Sequence, residues 1–258
     1  MTVLYDSPIF GPIHSRRLGV SLGINLLPAD GKCCSFDCIY CECGFNKDFK
    51  PKQKFPSRQA VSEALRARLI EMKEHGPVPN VLTFAGNGEP TMHPEFPDIV
   101  TDVIRLRDEF FPEAKVSVLT NATRIVKKEV FDALLLVDNN IVKLDTVTPE
   151  YIERVDRPVA DSYDLPAIVE AMKRFGPKCT VQTMFLQGEF EGRSVSNVSD
   201  EYVGPWLKTV CQICPKEVMI YTIDRETPAH ELRKATREQL DAIASRVRES
   251  GLICQVSY

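Results

Sequence analysis

Strand-like runs and helical periodicities alternate six times along this 258-residue chain. That alternation predicts an α/β fold: a parallel sheet, curved or barrel-like, in a single domain over residues 1–258. Two further observations support it. No low-complexity linker or internal repeat interrupts the alternation, and a composition of 43% hydrophobic and 26% charged residues can bury one sizeable core. An open doubly wound sheet is the competing architecture. In either case the carboxyl ends of the strands share one face, where loops carry function.

The elements follow in order from pattern. Apolar, β-rich runs place strands at residues 18–26, 81–85, 115–119, 141–144, 180–186 and 217–223. Between the first two strands, Val61, Ala64, Leu65, Leu69 and Met72 share one helical face, and Ser57 stands where an N-cap belongs. The next helix carries Ile99, Val103, Leu106 and Phe110, with Pro97 tolerated in its first turn. Near the C-terminus, Leu240, Ile243, Ala244 and Val247 form a helix entered through the capping-box pair Thr236 and Gln239, and a short strand completes residues 236–257. The polar stretch 187–200, with Gly188, Gly192 and several serines, reads as a mobile loop at the mouth.

Net charge is −4 and the isoelectric point about 5.7, which excludes a global basic field of the kind that draws a chain to nucleic acid. Arg16 and Arg17 are a local pair able to hold a phosphate. Residues 1–10 include Asp6 and Pro8 and no apolar run, so neither a signal peptide nor a membrane span is expected. Five of the nine cysteines fall between Cys33 and Cys43, which is no disulfide scaffold and points to a reducing, cytoplasmic setting with thiolates available for metal.

Cys34, Cys38 and Cys41 have three and then two residues between them, within a loop spanning residues 30–45. Three thiolates so close can hold three irons of a cubane and leave the fourth iron open to a ligand. Two other readings remain at this point. Cys33, Cys38 and Cys41 match the plant-type two-iron spacing, and Cys38 and Cys41 could share a zinc ion with Cys211 and Cys214.

The remaining unusual polar residues gather at strand ends. After the second strand come Gly86, Asn87, Gly88, Glu89 and Pro90, where glycines permit close approach to a ligand and Glu89 could grip an ammonium group. The third strand ends in Thr120 and Asn121, suited to ribose hydroxyls. In the fourth, Lys143 and Asp145 lie two apart and so on one side. Gln182, Thr222, Asp224 and Arg225 extend the pattern. Cys43, Lys143, Asp145 and Arg225 are the candidate catalytic residues.

On the cysteine triplet, the Gly86–Pro90 segment and the six units, the chain resembles the radical S-adenosylmethionine (SAM) enzymes. The resemblance implies a partial (β/α)6 TIM-like barrel and a [4Fe–4S] cluster on Cys34, Cys38 and Cys41. It implies SAM on the open iron, and an electron from a partner such as flavodoxin or ferredoxin that cleaves SAM to a 5′-deoxyadenosyl radical. By the same resemblance Tyr40 packs near the adenine, Gly88 and Glu89 meet the methionine amino group, and Thr120 and Asn121 lie near the sugar or carboxylate. Gly86, Asn87, Pro90, Asp145 and Gln182 are grouped with this pocket.

Residues 12–25, 143–145, 154–158 and 221–225 are similar to the group related to wyosine-base synthases, which modify tRNA. That group's pyruvate-using members carry further cysteines upstream of the radical site, and none precedes Cys33 here. The expected function is therefore a small stand-alone radical SAM enzyme whose substrate the sequence leaves open. A tRNA-base synthase, a protein-directed activase of glycyl-radical enzymes, and a non-catalytic iron–sulfur or zinc module are the alternatives. Cys43, Cys179, Cys211, Cys214 and Cys254 are candidates for an auxiliary cluster.

Overall fold

The computed structural model describes residues 2–15, 19–159 and 163–258, so the expectation for Arg16 and Arg17 lies outside the described residues. Eight strands form the main sheet. Strand β1 (Ile9–Ser15) runs antiparallel beside β2 (Gly19–Ile24), and β3 (Val81–Phe84), β4 (Lys115–Thr120), β5 (Asn139–Lys143) and β6 (Cys179–Met184) follow in parallel order. Beyond β6 the sheet continues in parallel through β9 (Glu217–Tyr221) to β11 (Cys254–Ser257). The six expected strands are thus the middle of a longer sheet. The sequence reading missed β1, whose Pro12 and irregular register suit only an edge strand.

Helices connect successive parallel strands. α1 (Arg58–His75) buries Val61, Leu65, Leu69 and Met72, and the Ser57 side chain accepts from the Ala60 amide as its cap. α2 (Phe96–Phe110) carries Pro97 in its first turn and buries Ile99, Val103 and Leu106. α3 (Lys128–Leu134) joins β4 to β5. A short turn α4 (Pro149–Tyr151) runs directly into a π-helical turn at Ile152–Asp156, and α5 (Leu165–Phe175) then leads to β6. α6 (Asp200–Ile213) precedes β9, and α7 (Arg237–Glu249) precedes β11 behind the expected Thr236–Gln239 capping box.

The region 187–200 is a correction. Its glycines and serines do not make a free loop but a hairpin of β7 (Leu186–Phe190) and β8 (Arg193–Ser194), which β10 (Leu232–Lys234) extends to a three-stranded sheet at the mouth. Tyr151, Arg154 and Asn197 bind its backbone.

One face of the main sheet supplies Leu22, Ile24, Leu82, Phe84, Val116, Val118, Val142, Val181 and Val218 to the core beneath the helices. The other face is partly polar: Ser21 and Thr83 share a 2.8 Å hydrogen bond, and Asn139 donates to Ser117 at 2.9 Å. Asn140 is the anomaly. It is 1% exposed, and among the described residues neither of its amide atoms finds a partner. An unsatisfied buried amide costs about 1–3 kcal/mol, so Asn140→Leu is expected to raise the urea midpoint of unfolding. A lowered midpoint would mean the amide is served by buried water.

Candidate metal and cofactor site

The triplet loop leaves the carboxyl end of β2 without helix or strand of its own, and its shape is imposed by neighbours. Cys33 donates its amide to the Asn87 carbonyl at 2.9 Å and accepts from the Glu89 amide at 3.1 Å. The fit is close enough to dictate glycine: at Gly88, φ is +136° and a Cβ would lie 1.9 Å from the Cys33 carbonyl oxygen. At Gly88 the close approach seen is that of chain to chain. Further along, the Asp37 amide donates to Asp156 and Arg157 carbonyls, Ile39 to Val155, and Ala229 to Ile39.

Within that cup Cys38 is buried as a whole residue, while Cys34 and Cys41 keep part of their residue surface exposed and their thiols lie inside. Cys38 packs with Phe36, Ile39, Tyr40, Tyr151, Val155 and Met184. Burial pushes the Cys34 thiol up to about 12 and Cys38 well above the usual thiol value. Cys41 runs the other way, drawn down to about 6 by a hydrogen bond from the Cys43 thiol and by Lys32, against its burial. Asn121 Nδ2 approaches Cys34 Sγ at 3.5 Å and donates to Ser35 at 3.0 Å.

Lys32 is the residue that sequence reasoning missed. It is 2% exposed, with Nζ donating to the Gly44 carbonyl at 2.6 Å and 3.7 Å from Asp37. Burial pulls its pKa down, but Cys41, Cys34, Cys38 and Asp37 together hold it above the ordinary lysine value. Asp37 is itself shared with Arg157 at 3.5 Å. Asp37 and the Cys41 sulfur already favour the buried ammonium, and metal binding, which deprotonates the other two thiols, adds further anions around it. The residues therefore fit an anionic iron–sulfur group.

The zinc reading does not survive the topology. Cys211 lies in the last turn of α6 and Cys214 caps it just before β9 begins, at the amino ends of the strands, whereas the triplet follows the carboxyl end of β2. Cys179 and Cys254 also open their strands, so these four cysteines gather at the pole opposite the triplet. Among the described residues, no three His, Cys, Asp or Glu side chains are placed to share one metal ion.

Glu89 is 2% exposed. Its Oε1 accepts from the Thr91 amide (3.1 Å), the Thr91 hydroxyl (2.6 Å) and the Thr120 hydroxyl (2.7 Å), and its Oε2 from the Asn121 amide (2.7 Å). Burial raises its pKa, opposed by those four bonds. Pro90 starts the following short 3-10 turn. Asn87 is spent otherwise: its amide nitrogen donates to Tyr5 and Pro28 carbonyls and its oxygen accepts from the Tyr5 amide, so its side chain ties down the N-terminal segment.

Lys143 and Asp145 do meet at the mouth. Lys143 Nζ is 2.8 Å from Asp145 and also pairs with Asp156, which the sequence reading did not single out. Asp145 accepts from the Met184 amide at 2.9 Å and from the Tyr40 hydroxyl. Phe36 and Tyr40 rings stand 5.0 and 5.4 Å from Nζ. Although burial disfavours the charge, the two carboxylates hold the Lys143 pKa well above its usual value. Gln182, paired in register with Lys143, adds a partly buried amide beside it. Asp156 Oδ1 is 3.9 Å from Cys38 Sγ, which joins this charge cluster to the triplet.

Cys43 is buried, with Sγ 3.5 Å from the Gly86 carbonyl. Arg225 does not join Lys143: its exposed guanidinium pairs with Glu42 at 2.6 Å and with Tyr5 at 3.0 Å. Thr222 accepts from the Ala235 amide, and Asp224 lies 3.6 Å from Lys234, so both serve the β10 connection. A separate cleft of about 480 Å³ lies between the π-turn and the hairpin, lined by Glu150, Glu153, Arg154, Phe190, Glu191 and Arg193.

The family model for the radical SAM superfamily matches residues 30–193, which holds the triplet, the Glu89 segment and the Lys143 cluster. An UPF0026 protein of Helicobacter pylori is 30% identical over 221 residues, covering 84% of this chain and 66% of its own. The chain spans roughly a third to two thirds of the length of the curated relatives it matches, from 32% to 66%. Among solved structures, a radical SAM methyltransferase from Sphaerobacter thermophilus shares the fold at a TM-score of 0.65 and 14% identity, over 92% of this chain and 66% of that one. TYW1 with a lysine–pyruvate adduct bound superposes with a TM-score of 0.62 and 12% identity, over 89% and 73%.

Proposed function

The chain belongs to the radical SAM superfamily, and from that premise we propose that it is an enzyme that cleaves SAM reductively to begin hydrogen abstraction from a substrate. The observation that carries the reading is Lys32, a buried ammonium facing three closely placed cysteine thiols. Cys34, Cys38 and Cys41 would hold the [4Fe–4S] cluster. When bound, that group supplies an open iron for SAM and the electron that breaks its sulfonium bond.

The chain's own residues prepare this site. Four donors fix the Glu89 carboxylate in one orientation, ready for an ammonium group, while only Asn121 occupies Oε2. Asn121 also steadies Cys34, so a single residue links the carboxylate to the triplet. The apolar cup around Cys38 keeps water from the deepest sulfur. Tyr40 and Gln182 would line the remaining wall, with Asp145 holding the Tyr40 hydroxyl.

A pyruvate-condensing chemistry is the weaker reading. A lysine that adds to a carbonyl must first be neutral, and Lys143 is locked as ammonium between Asp145 and Asp156. The reading is tested by anaerobic reconstitution, iron and sulfide analysis, and electron paramagnetic resonance with and without SAM. Expected are four irons per chain, a reduced-cluster signal that changes on adding SAM, and release of 5′-deoxyadenosine with a strong reductant. Cys38→Ala should lose the cluster. Zinc in place of iron, or a signal indifferent to SAM with no 5′-deoxyadenosine, would sink the proposal.

A further inference from the structure

The chain is acidic overall, with 36 Asp and Glu against 32 Lys and Arg. The segment directly behind the triplet reverses that sign. Residues 47–54 carry Lys47, Lys50, Lys52 and Lys54 against the single Asp48. All four lysines are exposed. Among the described residues none of their ammonium groups has a carboxylate within 4.0 Å, and Lys47 has only the Phe45 ring, at 5.9 Å.

This basic strap is pinned, although it has no helix or strand. The Asp30 carboxylate accepts from the Lys52 amide at 3.0 Å and from the Gln53 amide at 3.2 Å. The Phe49 carbonyl accepts from the Lys32 amide at 2.7 Å. Contact with the cysteine loop is tight: a Cβ at Gly31 would lie 2.4 Å from the Phe49 carbonyl oxygen, and one at Gly44 would lie 2.5 Å from the Phe49 ring. Lys32, which holds Phe49 through its backbone, is also the residue whose ammonium faces the three thiols. One layer of backbone therefore separates this cationic surface from the triplet.

We propose that the Lys47–Lys54 strap is the docking surface for an acidic one-electron carrier protein, of the flavodoxin or plant-type ferredoxin class, and is where reducing electrons enter the molecule. The inference rests on the iron–sulfur reading of Cys34, Cys38 and Cys41, because only a buried redox group makes such a port useful. Complementary charge raises encounter rates and makes them fall with salt, and a cationic face in an otherwise acidic chain selects orientation as well as partner. A carrier seated there would reach the triplet along the hydrogen bond between Phe49 and Lys32. RNA is the competing occupant for a lysine surface, but the acidic balance of the chain and the proximity of the strap to the thiols favour the carrier.

The test uses reconstituted holoprotein in which all four lysines are changed to glutamate, with a milder glutamine version beside it. Bleaching of the cluster absorbance is followed in stopped flow with reduced flavodoxin and, separately, with a small photochemically generated deazaflavin radical. The quantity read is the ratio of the two rates, which cancels differences in cluster content. Expected is a fall of at least about tenfold in that ratio for the glutamate variant, an intermediate fall for the glutamine variant, and loss of the salt dependence of the flavodoxin rate. An unchanged ratio overturns the proposal. So does an unchanged ratio accompanied by lost binding of fluorescent tRNA, which would reassign the strap to RNA. If neither reductant bleaches the unmodified protein, the iron–sulfur reading itself has failed.

Discussion

Replacing Lys143 by methionine is expected to cost the fold about 3–5 kcal/mol, because it leaves two buried carboxylates facing each other without their shared cation. Asp145 and Asp156 are 4% and 3% exposed, and neither is free to turn to water. Asp145 is held by the Met184 amide and Tyr40, while the backbone of Asp156 anchors the Asp37 amide in the cysteine loop. The loss should show as a lower urea midpoint in the metal-free protein. Because Asp156 also touches Cys38, iron occupancy after reconstitution should fall with it. Adding Asp156→Asn to the Lys143→Met variant should recover part of the stability, since one of the two repelling charges is then gone. A single variant as stable as the parent would show that the cluster of charges is solvated and not structural.

Lys32→Met should act on the electron as well as on the fold. Two unit charges roughly 5–10 Å apart at an effective dielectric near 20 interact by about 2–3 kcal/mol, which for one electron corresponds to on the order of 100 mV. Removing the ammonium disfavours the more negative, reduced state, so the midpoint potential should move to more negative values. Spectroelectrochemical titration of the reconstituted protein measures this. In the metal-free protein the same substitution should also lower the unfolding midpoint, because it strips Asp37 and the Cys41 sulfur of the buried cation that faces them. A potential that does not move would place Lys32 outside the electrostatic reach of the triplet.

The parts of the molecule that repeat were legible. Helices α1, α2 and α7 and the six central strands announce themselves by period, and their caps at Ser57 and Thr236 by residue type. The hairpin at Leu186–Ser194 was not legible, because Gly188 and Gly192 break its alternation and its partner β10 comes about forty residues later. Spacing located the triplet and the Glu89 segment but could not say what each side chain meets. Thus Asn87 proved to brace Tyr5, and Arg225 proved to pair with Glu42 at the surface. Lys32 and Asp156 escaped notice for a common reason: a lone charged residue carries no periodic signal, and its burial is decided by segments far away in sequence. Cys211 and Cys214 mislead in the opposite sense, since a pair of nearby cysteines says nothing about which pole of a barrel it occupies.

The cysteine loop takes its backbone partners from Val3, Asn87, Val155, Asp156 and Ala229, which together span almost the whole chain. The shape of this loop therefore depends on chain as far along as Ala229. A nascent chain interrupted before Ala229 has the three thiols but lacks the walls that space them. The loop is thus closed by contacts distant in sequence, which by their separation are slow to form.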